Sequence, residues 1–368
     1  MIVVIADDVT GAAEIAGVAL RHGKDVKFAT ELRLPLPQAD VLVMATDTRS
    51  GTEAEAVAEV TALAKSLKGQ QVRIFKKTDS ALRGHIAAEL SALMAELGIS
   101  SSLLIAQNPS KGRVIRKGRY FIGDQELHLT SFSFDPEFPA LTSVVEQRLP
   151  GVHSLALDGE MTDGVNAADA ASAEEIRLQL AKADGTNAIV AGAADCFEAF
   201  LASEALSEGD DDVMAGVKSA LIVCGSTQSK SLAEEPLIKR VGAEEIGMTE
   251  VTFHGGDPSE WLAQLMDSYR RNGSLVMKIG HEATGGREYA MRLRSLMSEA
   301  TCTLVGDHRP DLLVIEGGAT AFATLKALGW DTFTICHEFA PGVVGMRYGD
   351  TLIVLKPGSY SWGNLFKA

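Results

Sequence analysis

IVVIADDVTGAAEIAG, residues 2–17, is an apolar run that ends in two adjacent carboxylates, Asp7 and Asp8. It then passes through Thr10-Gly11 into small residues with helical character. A continuous apolar run of this length predicts a strand buried on both faces, as in a parallel sheet covered by helices. Neighbouring acids at the exit of such a strand repel each other and lose hydration unless a cation or a hydroxyl-bearing ligand uses them. The carboxyl edge of an open α/β sheet is also where ligands bind. The opening of the chain therefore points to an active site.

The pattern recurs along the chain. Apolar runs at Ile2–Ala6, Val26–Ala29, Val41–Ala45, Val72–Phe75, Leu103–Ala106 and Ala188–Ala191 predict strands in the first half. Leu221–Cys224, Leu275–Lys278, Leu312–Ile315, Phe333–Cys336 and Leu352–Leu355 do so in the second. Helical patterns such as Ala54–Lys68 and Ala87–Glu96 lie between them, so βαβ units and mostly parallel sheets are expected. The fold class is α/β, and 368 residues suit two domains or one large one. The acidic, turn-rich stretch Ser207-Glu208-Gly209-Asp210-Asp211-Asp212 reads as a solvated linker between domains 1–212 and 213–368.

Acids outnumber bases, 49 to 34, which argues against a nucleic-acid surface and against an anionic membrane. An anionic small molecule would need a local basic site. The four cysteines lie far apart with no CxxC, as small buried hydrophobes do in a reducing cytoplasm. No leader-type segment and no run of membrane-spanning length is evident, so a cytoplasmic location is expected.

Asp7-Asp8 has three mechanistic readings. A receiver domain would need a phosphoacceptor, which Asp47 mimics, and a lysine within the same domain, whereas Lys356-Pro357 lies in the other half. An aspartyl phosphatase would want a second acid two residues on, where Val9 stands. In a sugar or polyol kinase, carboxylates orient substrate hydroxyls and one removes a proton.

Lys76-Lys77-Thr78-Asp79-Ser80-Ala81-Leu82-Arg83-Gly84-His85 favours the third reading. Thr78, Asp79 and Ser80 are N-cap types for a helix opening at Ile86, but capping does not explain three cations at the same strand end. The arginine fork suits a carboxylate or phosphate, and Asp79 among cations stays ionised. Asn108-Pro109-Ser110-Lys111-Gly112-Arg113 follows another strand, with Gly112 permitting close approach. It opens the basic run 111–119, whose plain alternative is a solvated loop. The stretch from Thr130 to Pro136 reads equally as a polar flap or an ordinary loop. His281 and His308 lack ligand spacing and read as surface residues.

Three strand ends of the second half are glycine-rich: CGSTQS (224–229), EGGATA (316–321) and KPGSY (356–360). Exposed amides at helix starts bind phosphate, although none of these is a Walker A loop or a G-x-G-x-x-G.

Together these motifs resemble the four-carbon acid sugar kinase family, in its order and over nearly the whole chain. IADDVTGAAEIA resembles its ADD-(L/V)-TGA signature, KKTDSALRGHIAAEL its K-x-D-S-x-L-R-G-x-x-x-x-E segment, and NPSKGR with Gly118 its P-x-x-G-R loop. TSFSFDPEFP, VAGAADCFEAF, GSTQ, GGATA, PGV (341–343) and KPGSYSWG match later elements. The resemblance implies an ATP-dependent kinase of erythronate, threonate or 3-oxo-tetronate, acting at O4. The sugar acid would bind the first domain, the nucleotide the second, with the active site in the inter-domain cleft. Asp8, Asp79 and Arg83 are the expected catalytic residues, with Asp8 preferred over Asp79 as base. Asp7, Lys76, Ser80 and Arg113 are expected on the substrate; Ser226, Gly317, Gly318, Ala319, Thr320 and Gly358 on ATP. Mg²⁺ would travel with ATP, and the sequence singles out no ligands for it. Many relatives carry an acid where this chain has Ala319, and Glu316 is the nearest substitute. That departure supports an alternative, a catalytically silent sensor of sugar acid and nucleotide. The expected partners are small molecules, and the reading leaves room for a homo-oligomer.

Overall fold

The computed structural model describes residues 1–135, 137–201, 213–227, 229–281, 286–358 and 360–367. The chain divides into two compact units, Met1–Asp25 with Leu32–Leu206, and Val26–Glu31 with Ser207–Ala368. The stretch read as a linker, 207–212, lies outside the described residues.

The chain begins β1 (Ile2–Ala6), α1 (Val9–Arg21), β2 (Val26–Ala29), β3 (Val41–Ala45), α2 (Glu53–Leu67), β4 (Arg73–Lys77) and α3 (Ile86–Leu97). It continues through β5 (Ser101–Ile105), β6 (Arg113–Arg116), β7 (Arg119–Ile122), β8 (Gln125–Glu126), α4 (Val145–Arg148) and β9 (Val152–Leu155). β10 (Gly164–Ala168), α5 (Ala173–Ala181), β11 (Ile189–Gly192) and α6 (Ala194–Leu201) follow. Apart from β2, these elements form the first unit.

Its main sheet runs β3-β1-β4-β11-β5-β10-β9, parallel throughout. α2 packs on α3, and α1 and α5 pack on α6. This enclosure is why Val3, Val4, Ile5 and Ala6 are all without exposed surface and why their run is apolar without alternation. β6, β7 and β8 form a separate antiparallel meander. The basic run 111–119 is thus largely strand. Its turn, Lys117-Gly118, has both residues at positive φ and gives both N–H groups to Asp169, at 2.7 and 2.9 Å.

In the second unit come β12 (Ala220–Cys224), α7 (Pro236–Val241), β13 (Glu244–Gly247), α8 (Glu250–Phe253), α9 (Ser259–Asn272) and β14 (Leu275–Lys278). After them stand α10 (Arg287–Asp307), β15 (Leu312–Glu316), α11 (Gly318–Ala327), β16 (Thr332–Ala340), β17 (Val343–Tyr348) and β18 (Thr351–Lys356). Strands β13-β14-β12-β15-β18 are parallel. β17, β16 and β2 extend the sheet antiparallel, β2 pairing Phe28 with Phe333. The core gathers on β12, β14, β15 and β18 around Ile222, Val276, Val314 and Val354. No described helix is long and apolar enough to cross a membrane.

Candidate functional site

The Asp-Asp-Val-Thr-Gly run folds as it does because Asp8 caps α1. Asp8 has extended backbone (φ −148°, ψ 159°), and its Oδ1 accepts the Gly11 N–H at 2.9 Å. A Cβ on Gly11 would stand 2.7 Å from that same oxygen and 3.0 Å from Lys77 Nζ. The glycine is there for room beside the carboxylate.

Arg49, just beyond β3, ties the acids together. Its Nε and Nη2 donate to the two oxygens of Asp7 at 2.8 and 2.9 Å, Nη2 also reaches Asp8 Oδ1 at 2.8 Å, and Nη1 lies 3.6 Å from Asp79. Gly84, at φ +90°, passes so close that a Cβ would lie 3.2 Å from Asp7 Oδ2. The three carboxylates are thereby made unlike. Burial would raise the pKa of Asp7, but Arg49 and then Lys76 hold it below its ordinary value. For Asp8, burial and the neighbouring Asp7 charge outweigh Arg49, and its pKa is raised. Asp79 is held far below the carboxylate range by Arg49 and Arg83 despite its burial.

Hydrogen bonding divides them in the same way. Both oxygens of Asp7 are on Arg49. Asp79 Oδ2 accepts from Ala81 N–H at 2.8 Å and Arg83 Nε at 3.0 Å, while Oδ1 accepts from Arg83 Nη2 at 2.8 Å. Asp8 Oδ2 has no hydrogen bond among the described residues, and the Asp8 side chain is 16% exposed against 3% for Asp7.

The two lysines do not converge on the strand end. Both lie within β4, and alternate residues of a strand face opposite ways. Lys76 is wholly buried, 2.7 Å from Glu89 of α3. Lys77 lies 3.7 Å from Glu14 of α1 and donates to the Thr78 carbonyl at 2.8 Å. None of Thr78, Asp79 and Ser80 caps α3, whose N-cap is His85. Ser80 is held from the meander instead: Arg113 Nη1 donates to its Oγ and the Tyr120 hydroxyl to its carbonyl.

Sequence reading missed Arg49 and Tyr120, and held Glu89 only as the closing acid of a motif, with no role assigned. Arg49 left a signal, since Thr46-Asp47-Thr48-Arg49 follows an apolar run just as the other site motifs do. Tyr120 left none, because nothing local marks the meander as packing on the Ser80 turn.

In the second unit, the glycine-rich turns meet at the carboxyl ends of the adjacent strands β12, β15 and β18. A Cβ on Gly225 would fall 2.5 Å from Thr320 Oγ1 and 2.7 Å from the Glu316 carbonyl oxygen. A Cβ on Gly358 would lie 3.7 Å from Ser226. Gly317, at φ +101°, precedes α11, which Gly318, Ala319 and Thr320 open. Glu316 is buried, with Lys356 Nζ at 2.5 Å on one oxygen and the Ser229 hydroxyl on the other. It is engaged within the protein rather than presented as a ligand. His308 is exposed as expected, whereas His281 is half-buried and stacks on Phe253 with ring centroids 4.5 Å apart. Among the described residues no three His, Cys, Asp or Glu stand together as a metal cage.

A parallel α/β sheet with charged side chains gathered at its carboxyl edge defines a ligand-binding α/β protein. A family model for a sugar-binding N-terminal domain matches residues 2–219, and the chain belongs to that family, the four-carbon acid sugar kinases. It is 26% identical to the 3-oxo-tetronate kinase of Cupriavidus necator, over 98% of this chain and 94% of the relative. It is 27% identical to the D-threonate kinase of Bordetella bronchiseptica, over 97% and 93%. The crystal structure of a Haemophilus influenzae protein superposes with a TM-score of 0.71 at 17% identity, covering 100% of this chain and 98% of that one. At that identity the likeness attests the fold.

Proposed function

We propose that the protein is an ATP-dependent kinase that phosphorylates a four-carbon sugar acid at its terminal hydroxyl. Asp8 Oδ2 carries this reading: among the described residues it is the one carboxylate oxygen of the Asp7, Asp8 and Asp79 cluster left unbonded, on the acid whose pKa is raised, as suits a general base. Asp8 takes the proton of the substrate O4 hydroxyl, the oxygen forms a bond to the γ-phosphorus of ATP, and ADP leaves with the electron pair of the broken P–O bond. Asp79 accepts a second substrate hydroxyl, and Asp7 serves by fixing Arg49. Arg113, whose side-chain hydrogen bonding among the described residues is confined to Ser80 Oγ, offers its remaining N–H groups to the substrate carboxylate. Arg83 adds positive charge there, and Lys76, paired with Glu89, acts by positioning.

The second unit supplies the nucleotide site. The amides that open α11, together with Ser226 and Gly358, would hold the phosphates. Mg²⁺ would arrive on ATP, for which one or two carboxylates and waters suffice. A coupled kinase assay over D- and L-erythronate, D- and L-threonate and their 3-oxo forms tests the reading. Turnover of at least one is expected. Tetronate-dependent thermal stabilisation without turnover of any would favour the silent sensor that Ala319 suggests.

A further inference from the structure

Arg83 distributes its guanidinium between two carboxylates. Nε and Nη2 go to Asp79, and Nη1 goes to Asp135 Oδ2 at 3.2 Å. The ring of Phe132, three residues before Asp135, lies beneath both Arg83 and Arg113, with guanidinium carbons 5.5 and 5.4 Å from its centroid. Asp135 does two separable things. Its Oδ1 accepts the N–H groups of Glu137 and Phe138 at 3.1 and 2.8 Å and so shapes its own turn. Its Oδ2 serves Arg83. Arg148 clamps the same turn by donating to the Phe138 and Pro139 carbonyls, each at 3.1 Å.

We propose that Asp135 is an internal stand-in for the substrate carboxylate. It occupies the one Arg83 nitrogen not given to Asp79 and yields it when a sugar acid binds. The inference rests on the kinase reading above. The exchange replaces one carboxylate on Nη1 by another and leaves Asp135 Oδ2 to water, so the hydrogen-bond count of Arg83 is conserved and the displacement is nearly balanced. An uncharged polyol makes no such exchange and leaves Asp135 in place. Asp135 thus acts as a specificity-determining residue: by competing only with acids it holds their affinity down and leaves that for neutral sugars unchanged. The pair is reachable for exchange, its side chains being 30% and 15% exposed.

The test is Asp135→Asn in the full chain. Asparagine keeps an oxygen for the two turn N–H groups and removes the charged acceptor from Arg83. Titration calorimetry without nucleotide, using erythronate, threonate and neutral erythritol, reads the competition directly. Both acids should bind about two- to fivefold tighter, the scale of a partly exposed ion pair, with erythritol unchanged, KM lowered and kcat kept. Unchanged or weaker acid binding by a folded Asp135→Asn overturns the proposal. Asp135→Ala also strips the turn, so weaker binding by that variant beside tighter binding by Asp135→Asn supports two separate jobs. If the unaltered protein neither binds nor phosphorylates any four-carbon acid, the kinase reading itself falls. If it does both and only the Asp135 effect is missing, the stand-in alone is refuted.

Discussion

Replacing Gly11 by alanine sets two magnitudes against each other. Alanine within a helix is worth about 1 kcal/mol over glycine, yet the new Cβ would stand 2.7 Å from Asp8 Oδ1. Displacing that oxygen also loosens the α1 cap, which is worth about 1 kcal/mol, so Gly11→Ala is expected to leave Tm level or lower while lowering kcat; steady-state kinetics beside a melting curve checks this. Asp8→Asn retains a capping oxygen, so it should fold and lose about 10²- to 10⁴-fold in kcat, the usual contribution of a general base. The pH dependence follows from the unlike acids. Asp7 and Asp79, with pKa values lowered in the fold, stabilise it fully above their ordinary 3.8, and that contribution is lost only as pH falls through their folded values. Asp8 has the opposite sign: its raised pKa makes the ionised form a cost that protonation relieves. On acidification, activity should disappear at higher pH than the folded state does, as rate profiles and circular dichroism on the same samples would show. The sequence singled out Asp7, Asp8 and Asp79, which gather on Arg49, but not how unlike they are, since that depends on Arg49 arriving from a different strand end.

The pairing of β4 with α3 rests on an ion pair that no solvent reaches. Lys76 and Glu89 are each essentially unexposed, and Glu89 Oε1 has no hydrogen-bond partner among the described residues. Removing one partner strands a buried charge, so Glu89→Leu alone should cost about 3–5 kcal/mol. Lys76→Met with Glu89→Leu should recover most of that loss, because neither charge is left to desolvate. Denaturant unfolding of the two single variants and the double variant gives the coupling. At this scale, elements with continuous apolar runs were legible, β1 and β3 to the residue. The Val72–Phe75 run was misplaced in β4 because a lysine reads as a terminus, while here Lys76 and Lys77 continue the strand into charge partners. β9 and β10 gave no apolar signal. Gly164–Ala168 is made of small residues around Asn166, which is buried and satisfied by the carbonyls of Ser102 and Thr162.

For the molecule as a whole, the proposed separation of acceptor and donor sites can be tested from the nucleotide side. Gly225→Ala puts a Cβ against Thr320 and the backbone of Glu316, so nucleotide binding should fall at least tenfold while erythronate or threonate affinity, measured alone by calorimetry, stays the same. Loss of both affinities would mean the substitution disturbs more than one unit. The α/β class was readable from the alternation of apolar runs and helical patterns. The membership of Val26–Glu31 in the second unit was not, since a short apolar strand carries no label for its partner. That membership has a consequence during synthesis. β2 leaves the ribosome about 300 residues before Thr332 of β16, which at typical elongation rates is roughly 15–60 s. Throughout that interval the nascent chain holds Val-Lys-Phe-Ala without its β16 partner, a short strand able to recruit the wrong edge. Lys27 in its middle, which finally donates to Thr334 at 2.8 Å, is the kind of charge that discourages such pairing until the last segment emerges.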